Sequence, residues 1–235
     1  SDAQSALNAL QVGGRNLLLN SKTLPWGVGS NGSGTNTIRV DYNTDTQMWH
    51  ITSPKGGSGN AGIFFPQGNN VSSIITKGQQ WAFSFDIKGT GIYSDKHIGI
   101  EGSSPFNSPS GNVPSDWNRV SATGTATGSN PIIIYFNSFD SALDVYIKLP
   151  KLEIGNMPTA YTQAPEDIVQ DYTNRDNQIT QSFTQFQQTN DGKVSKAQSD
   201  ATQSLSLIAT KVSQTDYDTK TCLLYTSPSP RDYAA

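Results

Sequence analysis

The sequence predicts an all-β sandwich of the jelly-roll kind, flanked by α-helical segments able to form a coiled coil. Three observations predict it. Hydrophobicity has a period of two through the middle of the chain, as at Trp81, Phe83, Phe85 and Ile87, which alternate with Ala82, Ser84, Asp86 and Lys88. Clusters of Gly, Ser, Asn and Pro separate the alternating runs, which is turn chemistry. From Pro165 onward the apolar residues recur at steps near three and four instead, which is helical spacing.

In chain order, residues 1–13 read as the end of a helix, with Ala3, Ala6, Leu7 and Leu10 at helical spacing and Gly13-Gly14 as a stop. Residues 14–164 carry the sandwich. Strand candidates are 47–52, 81–88, 96–101, 119–125, 132–136 and 143–149. The stretches 27–34, 54–60, 103–114 and 124–131 read as loops. Alternation buries one face of each strand and leaves the other wet and open to a ligand. Residues 165–221 read as a helical stalk. Pro165 with Glu166 and Asp167 is a start signal, and Ile168, Tyr172, Ile179, Phe183 and Phe186 begin a narrow apolar seam. The seam continues at Val194, Ala197, Ala201, Leu205, Ile208 and Val212, and Gly192 should interrupt or kink the helix. A single seam cannot hold a lone helix in water, so helices from identical chains are the simplest partners. The competing reading is a polar linker rich in Ser, Thr and Asn. Residues 222–235 match the in-frame translation of a common sequencing adapter, so the natural gene is expected to run past Thr221. Without an initiator Met, the chain is expected to be open at both ends.

Composition narrows the function classes. Charged residues are 15% and apolar ones 34%, so the remainder is mostly the polar, uncharged set that suits strands and turns. A net charge of -3 gives no electrostatic reason to expect nucleic acid or an anionic membrane as partner. No apolar run approaches the ~20 residues that membrane insertion requires. No basic segment followed by an apolar one marks a signal peptide, as in a protein released by lysis or never secreted. The single cysteine, Cys222, excludes an internal disulfide framework.

Two segments that bound the sandwich carry a family resemblance. Gly14-Arg15-Asn16-Leu17-Leu18-Leu19-Asn20-Ser21 resembles the opening strand of jelly-roll carbohydrate-binding modules in tail proteins of phages of Gram-positive bacteria. The stretch from Lys151-Leu152-Glu153-Ile154-Gly155 through Tyr161 to Pro165-Glu166-Asp167 resembles their closing strand and linker, and 81–89 and 117–121 resemble two core strands. The resemblance implies a galactose-binding-like sandwich, recognition of bacterial cell-wall polysaccharide or another surface glycan, and a homotrimer among other phage tail proteins in the virion. A structural calcium ion is conceivable in such a sandwich, with Glu153 as a ligand; no other cofactor is expected. Read from the residues themselves, Arg15–Leu19 suits a strand buried on both sides, and Asn16 and Asn20 are placed to satisfy backbone groups at the corner. Leu152 and Ile154 should point inward.

Residues capable of chemistry form no catalytic constellation. His50 and His97 sit in different strand candidates with no second His at metal-ligand spacing. Gly27-Val28-Gly29-Ser30-Asn31-Gly32 has the glycine spacing of a phosphate loop but lacks the strand before and the helix after that such a loop needs. Asp41-Tyr42-Asn43-Thr44-Asp45 begins like a calcium loop, but Thr46 and Thr52 stand where the turn glycine and closing glutamate belong, which leaves an Asx-rich turn. Asp86, Asp95, Glu101, Asp116, Asp140 and Asp144 could pair as glycosidase acids only if two converge across a sugar, and none stands in such a motif. The chain therefore reads as a non-enzyme.

Aromatic residues remain. Trp81 and Trp49 alternate with the core, Trp117 opens a strand at core or rim, and Trp26 lies in a Gly/Pro loop where it is accessible. The expected ligand-binding set is Trp26, Tyr42, Asp86, Lys88, Tyr135, Asp144 and Tyr146. Asp86, Lys88, Tyr135, Asp144, Tyr146 and Lys148 are expected to share the polar face of one sheet, with Trp26 and Tyr42 nearer turns. Two alternatives compete with glycan binding: a spacer or trimer-packing domain, and an accessory module of a tail lysin whose catalytic domain lies elsewhere.

Overall fold

A computed structural model describes residues 13–23, 27–31, 38–57, 60–65, 75–95, 98–128 and 130–226. The helix expected upstream of Gly13, Trp26, His97 and residues 227–235 lie outside them. Two units divide at Tyr172 and Thr173. The first holds two antiparallel sheets. One orders β1 (Gly27–Asn31), β4 (Asn60–Phe65), β10 (Ile132–Asn137) and β6 (Ile92–Tyr93), with β7 (Gly99–Ile100) also paired to β10. The other orders β2 (Arg39–Asn43), β3 (Met48–Ser53), β11 (Leu143–Ile154), β5 (Gln80–Thr90), β9 (Asn118–Thr125) and β8 (Phe106–Asn107). The chain crosses repeatedly between sheets, so both contribute to one core, and the fold is an all-β sandwich.

The core confirms the period-two reading. Trp49, Ile51, Trp81, Phe83, Phe85, Ile87, Val145 and Ile147 from the six-stranded sheet meet Ile63, Phe65, Ile134 and Phe136 from the other, all fully buried. Each such side chain contributes about 1.5–3 kcal/mol by leaving water. In β10, Ile132 to Phe136 are all buried, so this strand is covered on both faces. Strands β1 and β4 were not expected as strands, and of β2 only its start, where 37–40 reads as strand, was expected. Glycines and Asx residues lower the β propensity of 27–31 and 39–43, and pairing to β4 and β3 overrides it. The Asx turn does exist, since the Thr46 amide donates to Asn43 Oδ1 at 2.8 Å. Gly99 is required where it stands: φ is 118°, and a Cβ there would lie 2.2 Å from the Trp81 ring.

Strand β11 explains the closing motif. Asp144, Tyr146 and Lys148 point outward while Val145 and Ile147 point inward. A bulge then intervenes between Lys148 and Lys151, with Leu149 at φ 53°. The extra residue resets the alternation, so Leu152 opposite Phe83 is core while Lys151 and Glu153 share the outward side with Ser84 and Ala82. Ile154, expected to point inward, is 42% exposed at the strand end. Lys151 and Glu153 are instead fully buried. The Lys151 ammonium lies 3.1 Å from Glu153 Oε1 and donates to Gly14 O, Thr159 Oγ1 and Ala160 O. Both the amide and the hydroxyl of Thr159 donate to the Glu153 carboxylate. That carboxylate is committed to an internal cation, which corrects its expected part in holding calcium. The opening segment 15–19 is not a strand either. It is extended chain, clipped to β11 by Leu17 N to Leu152 O and by Asn16, whose side chain bonds Pro150 O and the amides of Leu18 and Leu152. The two motifs are therefore halves of one joint that closes the sandwich.

Helix α1 (Pro165–Thr226) runs 62 residues without a break at Gly192. One glycine costs about 1 kcal/mol in a helix interior, and the long flanks on either side carry the helix through it. Its first turn is tied down: Glu166 meets Arg15, and Asp167 Oδ2 accepts the Asn20 amide. Its apolar residues stay exposed, from 40% at Ile168 to 67% at Ile179 and Leu205. Among the described residues no helix is long and apolar enough to cross a membrane.

Candidate functional site

Six-stranded pairing lines up one outward row across four strands. Asp41 on β2 is opposite His50 on β3, His50 opposite Tyr146 on β11, and Tyr146 opposite Lys88 on β5. A second row lies beside it, with Lys148 opposite Asp86 and Asp86 opposite Arg119 on β9. Trp117, two residues before Arg119, keeps its outward phase and is 37% exposed.

The side chains of these rows are mutually ordered. The His50 and Tyr146 rings stack at 4.1 Å between centroids and 1° between planes. His50 Nε2 donates to Asp144 Oδ1 at 2.7 Å, which fixes the imidazole. The Lys88 ammonium sits 5.6 Å from the Tyr146 centroid and 5.1 Å from that of Trp117. Lys148 sits 4.1 Å from the Trp117 centroid. Arg119 donates to Asp86 Oδ1 at 2.7 Å, to Ser84 Oγ at 2.9 Å and to Leu149 O at 3.3 Å, and lies over the Tyr161 ring. Beside this platform, Asp41, Tyr42, Asn43, Met48, His50 and Tyr146 line a hollow of about 330 Å³. Hollow and platform together offer planar rings, an indole rim and several hydrogen-bonding tips. Of the acids of this face, Asp41 pairs with Arg39, Asp86 with Arg119 and Asp144 with His50. Among the described residues no group of three His, Cys, Asp or Glu side chains is placed to hold a metal ion.

Of the seven expected residues, the structure brings together Asp86, Lys88, Asp144 and Tyr146. Tyr42 points inward, tilted against Trp49 at 5.1 Å, with its hydroxyl on Lys22 O; only its edge reaches the hollow. Burial raises its phenol pKa. Tyr135 does not share this face. It lies on β10 in the five-stranded sheet and is only 8% exposed, because β10 is covered on both sides. Burial and, second, the Glu101 charge raise its pKa. Trp26 lies outside the described residues. Sequence reasoning passed over His50 and Trp117 as binding residues and missed Arg119. The signal was available: His50 alternates with core residues Trp49 and Ile51, and Trp117 shares phase with Arg119 and Ser121. A second hollow of about 260 Å³ at the β8 edge, beside the exposed Phe106 with Asn107 and Gln80, was read only as loop.

No family model matches the chain, and no curated protein does. Among solved structures it is similar to the CBM22-1 xylan-binding domain of Xyn10C from Paenibacillus barcinonensis, at 10% identity and TM-score 0.42, over 63% of this chain and 99% of that one. It is similar to the N-terminal cellulose-binding domain of beta-1,4-glucanase C from Cellulomonas fimi, at 16% identity and TM-score 0.31, over 58% of this chain and 90% of that one. It is also similar to a chain of the tripod (BppUct-A-L) of the bacteriophage Tuc2009 baseplate, at 16% identity and TM-score 0.31, over 67% of this chain and 61% of that one. The sandwich itself stands on the pairing of its own strands.

Proposed function

We propose that this chain is a non-catalytic glycan-binding part of a phage tail protein, and that it binds bacterial surface polysaccharide through the outward face of its six-stranded sheet. One observation carries the reading: His50, Tyr146, Lys88 and Trp117 form a continuous pre-ordered row on a face that a sandwich does not need for its own stability. Sugars offer C–H faces that pack on exposed ring surface and hydroxyls that need fixed polar partners. Trp117, 37% exposed, offers the ring surface that the two lysines leave free. His50 and Lys88 cover the two faces of Tyr146, so Tyr146 offers its rim. Asp144, His50 and the two lysines offer the polar tips. The tail setting rests on the resemblance of the opening and closing motifs.

Single sites of this open kind bind at about millimolar strength, near -4 kcal/mol. Repetition on a stalk supplies the missing avidity. Helix α1 has the pattern a stalk needs. Tyr172, Phe183, Val194 and Leu205 repeat every eleven residues, as do Ile168, Ile179, Asn190, Ala201 and Val212, and Arg175, Phe186, Ala197 and Ile208. Eleven residues in three turns give a straight or slightly right-handed seam, which suits three identical helices in parallel.

The test is a glycan array, with Gram-positive cell-wall polysaccharide among its probes, read with the full chain. Binding is expected, with loss of about tenfold or more in Trp117→Ala and in Tyr146→Ala and none in Phe106→Ala. Loss in Phe106→Ala alone would move the site to the β8 edge. Silence on every probe by a folded, assembled chain would end the reading in favour of a spacer domain.

A further inference from the structure

Charge on the outward face is unevenly placed, and its unpaired positive groups share one location. Asp41 and Asp86 are held by Arg39 at 3.0 Å and Arg119 at 2.7 Å, and Asp144 accepts a hydrogen bond from His50 at 2.7 Å. Lys148 stands directly opposite Asp86 on the neighbouring strand, yet Arg119 takes that carboxylate. Among the described residues neither Lys88 nor Lys148 forms an ion pair, and Asp116, the neighbour of Trp117, reaches neither. Both ammonium groups rest instead against the same indole, 5.1 and 4.1 Å from its centroid. Two like charges held on one ring repel each other, and ring contacts return only about 0.5–1 kcal/mol at exposed sites. In a chain of net charge -3, this is a local cationic spot of the kind that an acidic ligand group completes.

Given a glycan on this face, as proposed above, we infer that it is an anionic one, and that Lys88 and Lys148, both against Trp117, take its acidic group. Phosphodiester and carboxylate share the required chemistry: a compact anion with several acceptor oxygens, attached to a sugar or polyol that packs on the exposed part of the indole. The lysines, as point charges on flexible stems, impose little geometry, so they suit a repeating acid along a polymer better than one fixed fork-shaped contact.

The experiment measures binding of the full chain to three probes: poly(glycerol phosphate), polygalacturonate and neutral dextran, at about 25 and about 300 mM NaCl. The first two distinguish phosphate from carboxylate as the source of the charge. At low salt at least one acidic polymer is expected to bind about tenfold or more tighter than dextran, and to weaken several-fold at high salt. The double variant Lys88→Gln/Lys148→Gln should fall to the dextran level, while Lys88→Arg/Lys148→Arg keeps most of the binding. The double variant Lys55→Gln/Lys77→Gln removes the same charge from exposed positions elsewhere on the sandwich and should change nothing. Dextran bound as tightly as both acidic polymers would overturn the anionic inference and leave the glycan reading standing. Equal weakening by the Lys55/Lys77 variant would overturn it too, as unspecific attraction. Silence with all three polymers would remove the inference and count against the glycan reading itself.

Discussion

Replacing Lys151 by Met tests the joint that closes the sandwich. The ammonium has no exposed surface, and its contacts are Thr159 Oγ1 at 2.8 Å, Ala160 O at 2.8 Å, Gly14 O at 3.2 Å and Glu153 Oε1 at 3.1 Å. Met fills similar space but leaves the buried Glu153 carboxylate with only the amide and hydroxyl of Thr159. Stranding one member of a buried ion pair costs about 3–5 kcal/mol. For a sandwich of this size each kcal/mol moves Tm by about 2–4 °C, so a fall of roughly 6–20 °C is expected. Tryptophan fluorescence reports it, because all four tryptophans precede residue 118 and none lies in helix α1. The double variant Lys151→Met/Glu153→Leu removes both charges and should recover at least half of the loss, since the largest penalty is the stranded carboxylate rather than the absent pair. A single-variant fall under about 2 °C, or a double variant no better than the single, would refute the reasoning.

Tyr93 gives a pH prediction. Its hydroxyl is buried without a hydrogen-bond partner, and burial pushes its pKa up to about 12. The folded state therefore holds the proton more tightly than the unfolded chain, where tyrosine titrates near 10. The stability tied to this proton is fully present below pH 10 and is lost as pH rises towards 12, by up to about 2–3 kcal/mol. Tyr93→Phe should be neutral or stabilising by up to about 1 kcal/mol at pH 7, and should lose less Tm than the parent between pH 7 and pH 11; an equal loss would refute the role of Tyr93. For the stalk, Phe183→Asp/Leu205→Asp places charge in the eleven-residue seam, and light scattering should then find single chains where the parent gives trimers. A parent that is already monomeric at high concentration would remove the stalk reading.

Much of the architecture was legible in the chain because burial imposes a period. Trp81 to Ile87 and Leu143 to Ile147 could alternate only as strands with one dry face, and that alternation also placed Asp86, Lys88, Asp144, Tyr146 and His50 outside. The change of period at Pro165 marked the helix, and the acidic pair after it marked its start. Tertiary structure decided what period cannot encode. Which sheet a strand joins depends on crossovers, so Tyr135 left the expected group. A single bulged residue in β11 set Lys151 and Glu153 on the outward side, and the opening segment with Thr159 and Ala160 covers them there, which turns a surface-looking pair into a buried clasp. Glycine-rich 27–31 became a strand because β4 offered it partners. The platform itself arose from register: residues far apart in sequence meet only where pairing sets them opposite one another. Local chemistry fixes which way a side chain faces, and long-range hydrogen bonding fixes whom it faces.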